Sequence, residues 1–196
     1  LTQNGKLYGW GNNERDNQFG QIGNGGKTYV YSPTEITGFA SKTHVTKLFS
    51  KNVVSMNSMC KTSDNKYWSW GPGNARQVLG QSGTSDVLLP FDVTASLNVI
   101  TGTIKDIQFN RSIGIALSES GNVWTWGSGS SIYGDLGDGL TTTHTQTTPN
   151  QITFSSITGN ITKLAHGHYH SLAIDKDGQV WMWGKEGSTS TWGPFY

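Results

Sequence analysis

Three imidazoles, His166, His168 and His170, stand at every second position of the stretch LAHGHYHSLAID. On one continuous strand that spacing would put all three on the same face, where imidazole nitrogens could ligate zinc, copper or iron. Gly167 lies between the first two, and a turn there would carry His166 off the face of the others. Hydrogen-bonded structural histidines are therefore expected in place of a metal site. The stretch GQIGNGG, residues 20–26, has the glycine density of a phosphate cradle. A true cradle runs into a helix N-terminus, and no helical pattern follows this one. Asp135 and Asp138 of YGDLGDG are too sparsely spaced for a calcium loop. Cys60 is the single cysteine, which excludes an intrachain disulfide framework and a thiolate zinc site. No nucleophile elbow and no carboxylate pair in an identifiable cleft emerges, so an enzyme is not expected, nor a cofactor or metal. Asn110-Arg111-Ser112 and Asn160-Ile161-Thr162 are glycosylation sequons that a chain so rich in Asn, Ser and Thr reaches by chance.

The elements that position these residues are short. With 26 glycines among 196 residues, and β-branched and aromatic runs between Gly, Asn and Ser clusters, the chain reads as all-β. No long segment carries the apolar spacing of an amphipathic helix. The stretch around the histidines is one of four copies, aligned on NGKLYGWG, DNKYWSWG, SGNVWTWG and DGQVWMWG. Trp10, Trp70, Trp126 and Trp183 anchor them, at steps of 60, 56 and 57 residues. Five residues before each anchor is Gly5, Asn65, Gly121 or Gly178, residue types that tolerate the left-handed backbone of a tight turn. Each copy therefore reads as turn, then strand. Period-2 alternation puts Tyr8 with Trp10, Trp68 with Trp70, Trp124 with Trp126 and Trp181 with Trp183 on one face.

Upstream of the turns lie strands at 57–62, 113–118 and 170–175, and before those at 45–50, 104–109 and 161–166. Downstream come Gly-rich loops, then Pro33, Pro90 and Pro149, each leading into a fourth short strand. Four strands in nearly 60 residues is the period of a propeller blade. Such a sheet cannot bury both faces alone, so blades stack, and the seven tryptophans of these strands (Trp10, Trp68, Trp70, Trp124, Trp126, Trp181 and Trp183) are expected to be the packing between them.

WGNN…FGQIGNG…SPTEI (10–36) and HGHYHSLAIDKDGQVWMWG (166–184) resemble the regulator-of-chromosome-condensation repeat, whose outline runs from WG-x-N through GQLG-x-G and HS-x-A-L to DG-x-V-x-x-WG. The copy from 70 to 126 departs from it, lacking the first loop glycine and carrying Gly114 where His-Ser would stand. The resemblance implies a seven-bladed β-propeller of four-stranded antiparallel blades. Residues 1–196 are then a single partial propeller domain, about half of a ring. Its repeats span approximately 11–71, 71–127 and 127–184, with a partial repeat at 184–196 where TWGPFY aligns with QFGQIG. Other copies of the chain, or the rest of a longer one, are expected to close the ring.

A net charge of +1, with no basic stripe, gives no reason to expect nucleic acid. No apolar stretch reaches the length of a membrane span. Low charge and abundant Ser, Thr and Asn lean weakly toward an extracellular, cell-surface or virion setting, the compartment being otherwise open. The loops vary between copies, and Arg15, Tyr29, Tyr31, Arg76 and Tyr133 on them are residue types that dominate protein hot spots. The expected function is non-enzymatic binding of a protein partner through rim loops. Nucleotide exchange on a small GTPase, which the resemblance brings in, is one alternative. A structural or adhesion part of a surface assembly or virus particle is the other.

Overall fold

The computed structural model describes residues 1–15, 18–40, 43–49, 57–73, 85–110, 112–129, 134–140, 142–154 and 160–185. Its repeating unit is a hairpin loop of three residues. In each of the four, the first flanking residue donates its N–H to the carbonyl four residues on: Thr2 to Lys6, Thr62 to Lys66, Ser118 to Asn122 and Asp175 to Gln179, at 2.9 to 3.1 Å. The third loop residue has φ of 77° at Gly5, 64° at Asn65, 82° at Gly121 and 83° at Gly178. That left-handed backbone is why only Gly and Asn occupy the position.

The flanking residue also works through its side chain. Thr2 Oγ1 accepts from the Lys6 amide at 3.0 Å, and Ser118 Oγ from the Asn122 amide at 3.1 Å. Thr62 Oγ1 accepts from Trp68 Nε1 at 3.0 Å, and Asp175 takes the Gln179 amide at 2.9 Å and Trp181 Nε1 at 3.0 Å. One polar side chain thus bonds within the turn and, in two blades, also accepts from the indole that follows it.

The hairpins build antiparallel sheets in chain order. Strands β5 (Val45–Leu48), β6 (Ser58–Thr62), β7 (Tyr67–Gly71) and β8 (Val87–Asp92) form one four-stranded sheet. Strands β9 (Ile104–Phe109), β10 (Ile113–Ser118), β11 (Val123–Gly129) and β12 (His144–Ile152) form the next. A third has β13 (Ile161–His166), β14 (His170–Asp175) and β15 (Val180–Gly184), and a first pairs β1 (Tyr8–Gly11) with β4 (Val30–Glu35). Each complete sheet therefore takes its first three strands from one Trp-Gly step and its outermost strand from the next.

Three features depart from the expectation. The outermost strands begin before Pro33, Pro90 and Pro149, so each proline lies inside its strand. An edge strand has a free side on which the missing N–H costs no ladder bond. A two-residue ribbon pairs β2 (Glu14–Arg15) with β3 (Gln18–Phe19), and one helical turn, α1 (Thr94–Leu97), follows β8. Asp92 Oδ1 accepts the Thr94 amide at 3.0 Å and bends the chain into that turn.

Between the sheets lie apolar layers. Trp68 and Trp70 pack with Leu7, Ile22 and Ile36 of the preceding unit. Trp124 and Trp126 join Phe49, Met59, Tyr67 and the helical turn, while Trp183 packs on Ile115, Leu117 and Val123 with Trp181 against the same layer. The Trp-Gly strands β7, β11 and β15 thus turn their indoles toward the sheet before them. Trp126 is wholly buried, which contributes on the order of 4 to 6 kcal/mol by area. Of the seven indoles expected to pack between blades, Trp181 is partly buried, and Trp10 is 62 % exposed. Its strand faces away from β5–β8, and no described residue forms a layer over that side.

The first strands of successive sheets come close enough to bond. Lys47 Nζ donates to Lys105 O, and Lys105 Nζ to Thr162 O at 3.0 Å. Gln108 Nε2 reaches Leu164 O at 2.9 Å, while its Oε1 accepts the His166 amide at 2.9 Å. These bonds tie β5 to β9 and β9 to β13.

Candidate partner-binding rim

The hairpin loops 3–5, 63–65, 119–121 and 176–178 all lie at one end of the sheets. The opposite rim carries the segments that leave each Trp-Gly strand and the short β9–β10 and β13–β14 connections, because antiparallel pairing puts His170 beside Gly184 and Ile113 beside Gly127. Among the described residues, the segments that follow Gly11, Gly71 and Gly129 leave from this rim.

Its scaffold is set by buried polar side chains. Asn13, with no exposed surface, donates from Nδ2 to Gly26 O at 2.7 Å and Asn24 Oδ1 at 3.2 Å, and accepts the Ile22 amide at 3.0 Å. The phosphate-like loop 20–26 is spent on this internal work. Besides Ile22, its Gly23 amide bonds Gly20 O at 3.1 Å, its Gly25 amide Leu88 O at 2.8 Å, and its Gly26 amide Asn24 Oδ1 at 3.0 Å. A Cβ on Gly23 would stand 2.6 Å from the Trp70 indole, whose Nε1 donates to Gln21 O at 3.2 Å. Gly137 of the later loop meets Trp183 in the same way, 2.7 Å from Nε1. These glycines seat the indole of the next blade.

Asn110 organises the other end of the rim. Its Oδ1 accepts the Ser112 and Ile113 amides, each at 2.7 Å, and its Nδ2 donates across to His168 O at 2.9 Å and Gly167 O at 3.4 Å. The buried Asn110 sequon is thereby committed to structure. The three histidines separate as the glycine implied. His166 ends β13 buried, with Nδ1 2.8 Å from Ser171 Oγ, and burial lowers its pKa to about 4, so the ring is neutral. His168 lies in the loop, its ring stacked on Tyr169 at 3.9 Å, and His170 opens β14; both are exposed. Among the described residues no group of three His, Cys, Asp or Glu side chains could hold a metal. Cys60 is buried in the apolar layer, which pushes its thiol up to about 12 and out of thiolate chemistry.

Of the five candidate binding residues, Tyr29 and Tyr31 come together, stacked at 6.3 Å. Tyr29 is exposed on the rim. Tyr31 belongs to strand β4, not to a loop, and is 93 % exposed. Val30 packs inward, so alternation puts Tyr31 on the open sheet face with Trp10. Arg15 lies in β2, its side chain outside the described residues, as are Arg76 and Tyr133 entirely. Sequence reasoning missed Tyr169, which is 46 % exposed with Lys185 Nζ 5.5 Å from its ring centre. The Lys185 amide donates to Tyr169 O at 2.7 Å, which ties the tyrosine's backbone to the end of β15.

The repeat model described as regulator of chromosome condensation (RCC1) matches residues 4–50 and 120–174, and a second model of the same description matches 161–188. The human E3 ubiquitin-protein ligase HERC2 is 29 % identical over 185 residues, 94 % of this chain and 4 % of the ligase. The Arabidopsis thaliana RCC1 domain-containing protein RUG3, mitochondrial, is 30 % identical over 94 % of the chain and 39 % of its own length. The chain thus spans well under half of either relative. Among solved structures, human WBSCR16 superposes with a TM-score of 0.68 at 22 % identity, over 94 % of this chain and 44 % of that one. Prp20p from Saccharomyces cerevisiae, described with its binding properties to Gsp1p and histones, gives 0.69 at 19 % identity, over 92 % and 40 %. None of these relatives lends support to an extracellular or virion setting. Matched over more than half of its residues by the repeat model, and folded into the antiparallel four-stranded sheets that the repeat builds, the chain belongs to the regulator of chromosome condensation (RCC1) repeat family.

Proposed function

We propose that this chain is a non-enzymatic protein-interaction propeller that binds its partner through the rim carrying Tyr29 and Tyr169. The observation that supports it most is the pairing of exposed aromatics with a rim held by buried side chains, Asn13 at one end and Asn110 at the other. An aromatic already ordered before binding loses little entropy on docking. Tyr29 and Tyr169 stand at opposite ends of the arc, so a partner touching both would span the rim. Tyr29→Ala and Tyr169→Ala are expected to weaken a purified partner about tenfold each, the loss of a little over 1 kcal/mol apiece. Undiminished affinity in both variants, with folding intact, would refute the reading.

The open face of the first sheet supports a second surface. Trp70 and Trp183 each sit on a left-handed glycine of the preceding unit, and Trp10 occupies the same strand position uncovered. A further blade of the same repeat type, from another copy or another part of a longer chain, is the occupant this face fits. It would supply a glycine loop against the indole and a carbonyl for Trp10 Nε1, as Gln21 does for Trp70.

Nucleotide exchange on a small GTPase is the alternative that Prp20p brings in, since Gsp1p is among the proteins its description says it binds. Release of labelled nucleotide from a GTPase at substoichiometric amounts of the chain would favour it. A role in a surface assembly or virus particle rests on composition alone.

A further inference from the structure

His144 opens β12 on the same rim, and both of its ring nitrogens face groups that only accept hydrogen bonds. Nδ1 lies 2.7 Å from the Thr142 carbonyl and Nε2 lies 2.6 Å from Asp138 Oδ2. A neutral imidazole carries one N–H and cannot donate to both a carbonyl and a carboxylate. The imidazolium can. Asp138 is itself built in: Oδ2 also accepts from Gln146 Nε2 at 2.8 Å, Oδ1 accepts the Leu140 amide at 3.1 Å, and its side chain is only 6 % exposed. A carboxylate so enclosed calls for a compensating charge. Loop 134–140 brings Asp138, with Asp135 three residues earlier on the same loop. Strand β11 brings Gly129 and Ser128 opposite His144 and Thr145, and neither carries charge.

We propose that His144 is a proton-dependent clasp on this rim: as the imidazolium it ties the Asp138 turn to the start of β12, and its deprotonation releases that turn. The clasp needs no partner and does not depend on the binding reading above. The hydrogen bond from Nδ1 to the Thr142 carbonyl, then the Asp138 carboxylate, hold the ring's pKa above its ordinary 6.5 despite partial burial. A folded pKa that is raised adds stability that is fully present below 6.5 and is lost as pH rises through the folded value.

The test is an NMR titration of the 196-residue chain, following the ring nitrogens of His144 and hydrogen exchange at the Leu140 amide. The clasp predicts imidazolium shifts at both nitrogens that persist above pH 6.5. It also predicts loss of Leu140 protection, beyond the intrinsic rise of exchange with pH, through the same midpoint. Asp138→Asn lowers that midpoint. His144→Gln, whose amide can still donate to Asp138 without titrating, keeps Leu140 protected with no midpoint. A His144 midpoint at or below 6.5, a midpoint unmoved in Asp138→Asn, or Leu140 exchange in His144→Gln that still follows a midpoint each overturns the proposal.

Discussion

Alanine placed at Gly134 and at Gly137 separates two costs that a glycine loop normally confounds. Both residues are left-handed, with φ of 64° and 69°. A Cβ on Gly134 meets nothing within 4 Å among the described residues, whereas one on Gly137 stands 2.7 Å from Trp183 Nε1 and 2.8 Å from Cδ1. Gly134→Ala therefore carries the backbone term alone, about 1–2 kcal/mol. Gly137→Ala adds displacement of a buried indole with no slack beneath it, a further 1–3 kcal/mol or so by the scale of overpacked cores. Chemical denaturation followed by tryptophan fluorescence measures both. Combining Gly137→Ala with Trp183→Leu isolates the contact, because the double variant must recover most of the second term while retaining the first. Equal losses for the two single variants, or strict additivity in the double, would refute the claim that this glycine exists to seat the next blade's tryptophan.

Trp126→Ala should cost about 3–5 kcal/mol and Trp10→Ala about 0.5 kcal/mol or less, since one indole is wholly buried and the other is 62 % exposed; urea titration distinguishes them. Neutral, buried His166 gives a pH signature of opposite sign to that of His144. Its unfolded pKa of 6.5 falls to about 4 on folding, so the unfolded state alone takes up a proton as pH drops from 6.5 toward 4. Stability should fall by about 3 kcal/mol over that window and then level, and His166→Gln should flatten the slope in denaturation series at stepped pH. Asn110→Ala should cost about 3 kcal/mol and loosen Tyr169, because it strands the Ser112 and Ile113 amides and frees the His168 carbonyl; amide exchange at those positions reports it.

The repeat was legible because its strongest constraints fall on residue types that have no substitutes. Positive φ restricts the turn to Gly or Asn, and an indole-sized gap between sheets demands Trp, so the turns and Trp-Gly strands appear at readable intervals. The acceptor at Thr2, Thr62, Ser118 and Asp175 was not legible, since a hydroxyl and a carboxylate serve equally and no single letter marks the place. The exposure of Trp10 was not legible for a different reason. Its strand matches its counterparts, but burial is a property of the neighbouring sheet, which the strand itself does not encode. An isolated Pro reads as a strand start because it breaks a ladder; only the pairing reveals a free edge that tolerates it. At the rim, Tyr29 could be picked by type, whereas Tyr169 was hidden inside a motif that looked like a metal ladder. The His144 clasp depends on a six-residue separation from Asp138 that only the loop's path closes.

The central claim, that this chain works by presenting one rim to a protein partner, is tested most directly by site-specific photo-crosslinking in the native host. A benzophenone side chain would replace Tyr29 or Tyr169 on one rim, and Ser120 or Asp177 in the hairpins of the other. The account predicts that the first pair yields the same discrete protein adduct and that the second pair yields none. The same adduct from Ser120 and Asp177 at equal or greater yield, or no adduct from either tyrosine position, would contradict it.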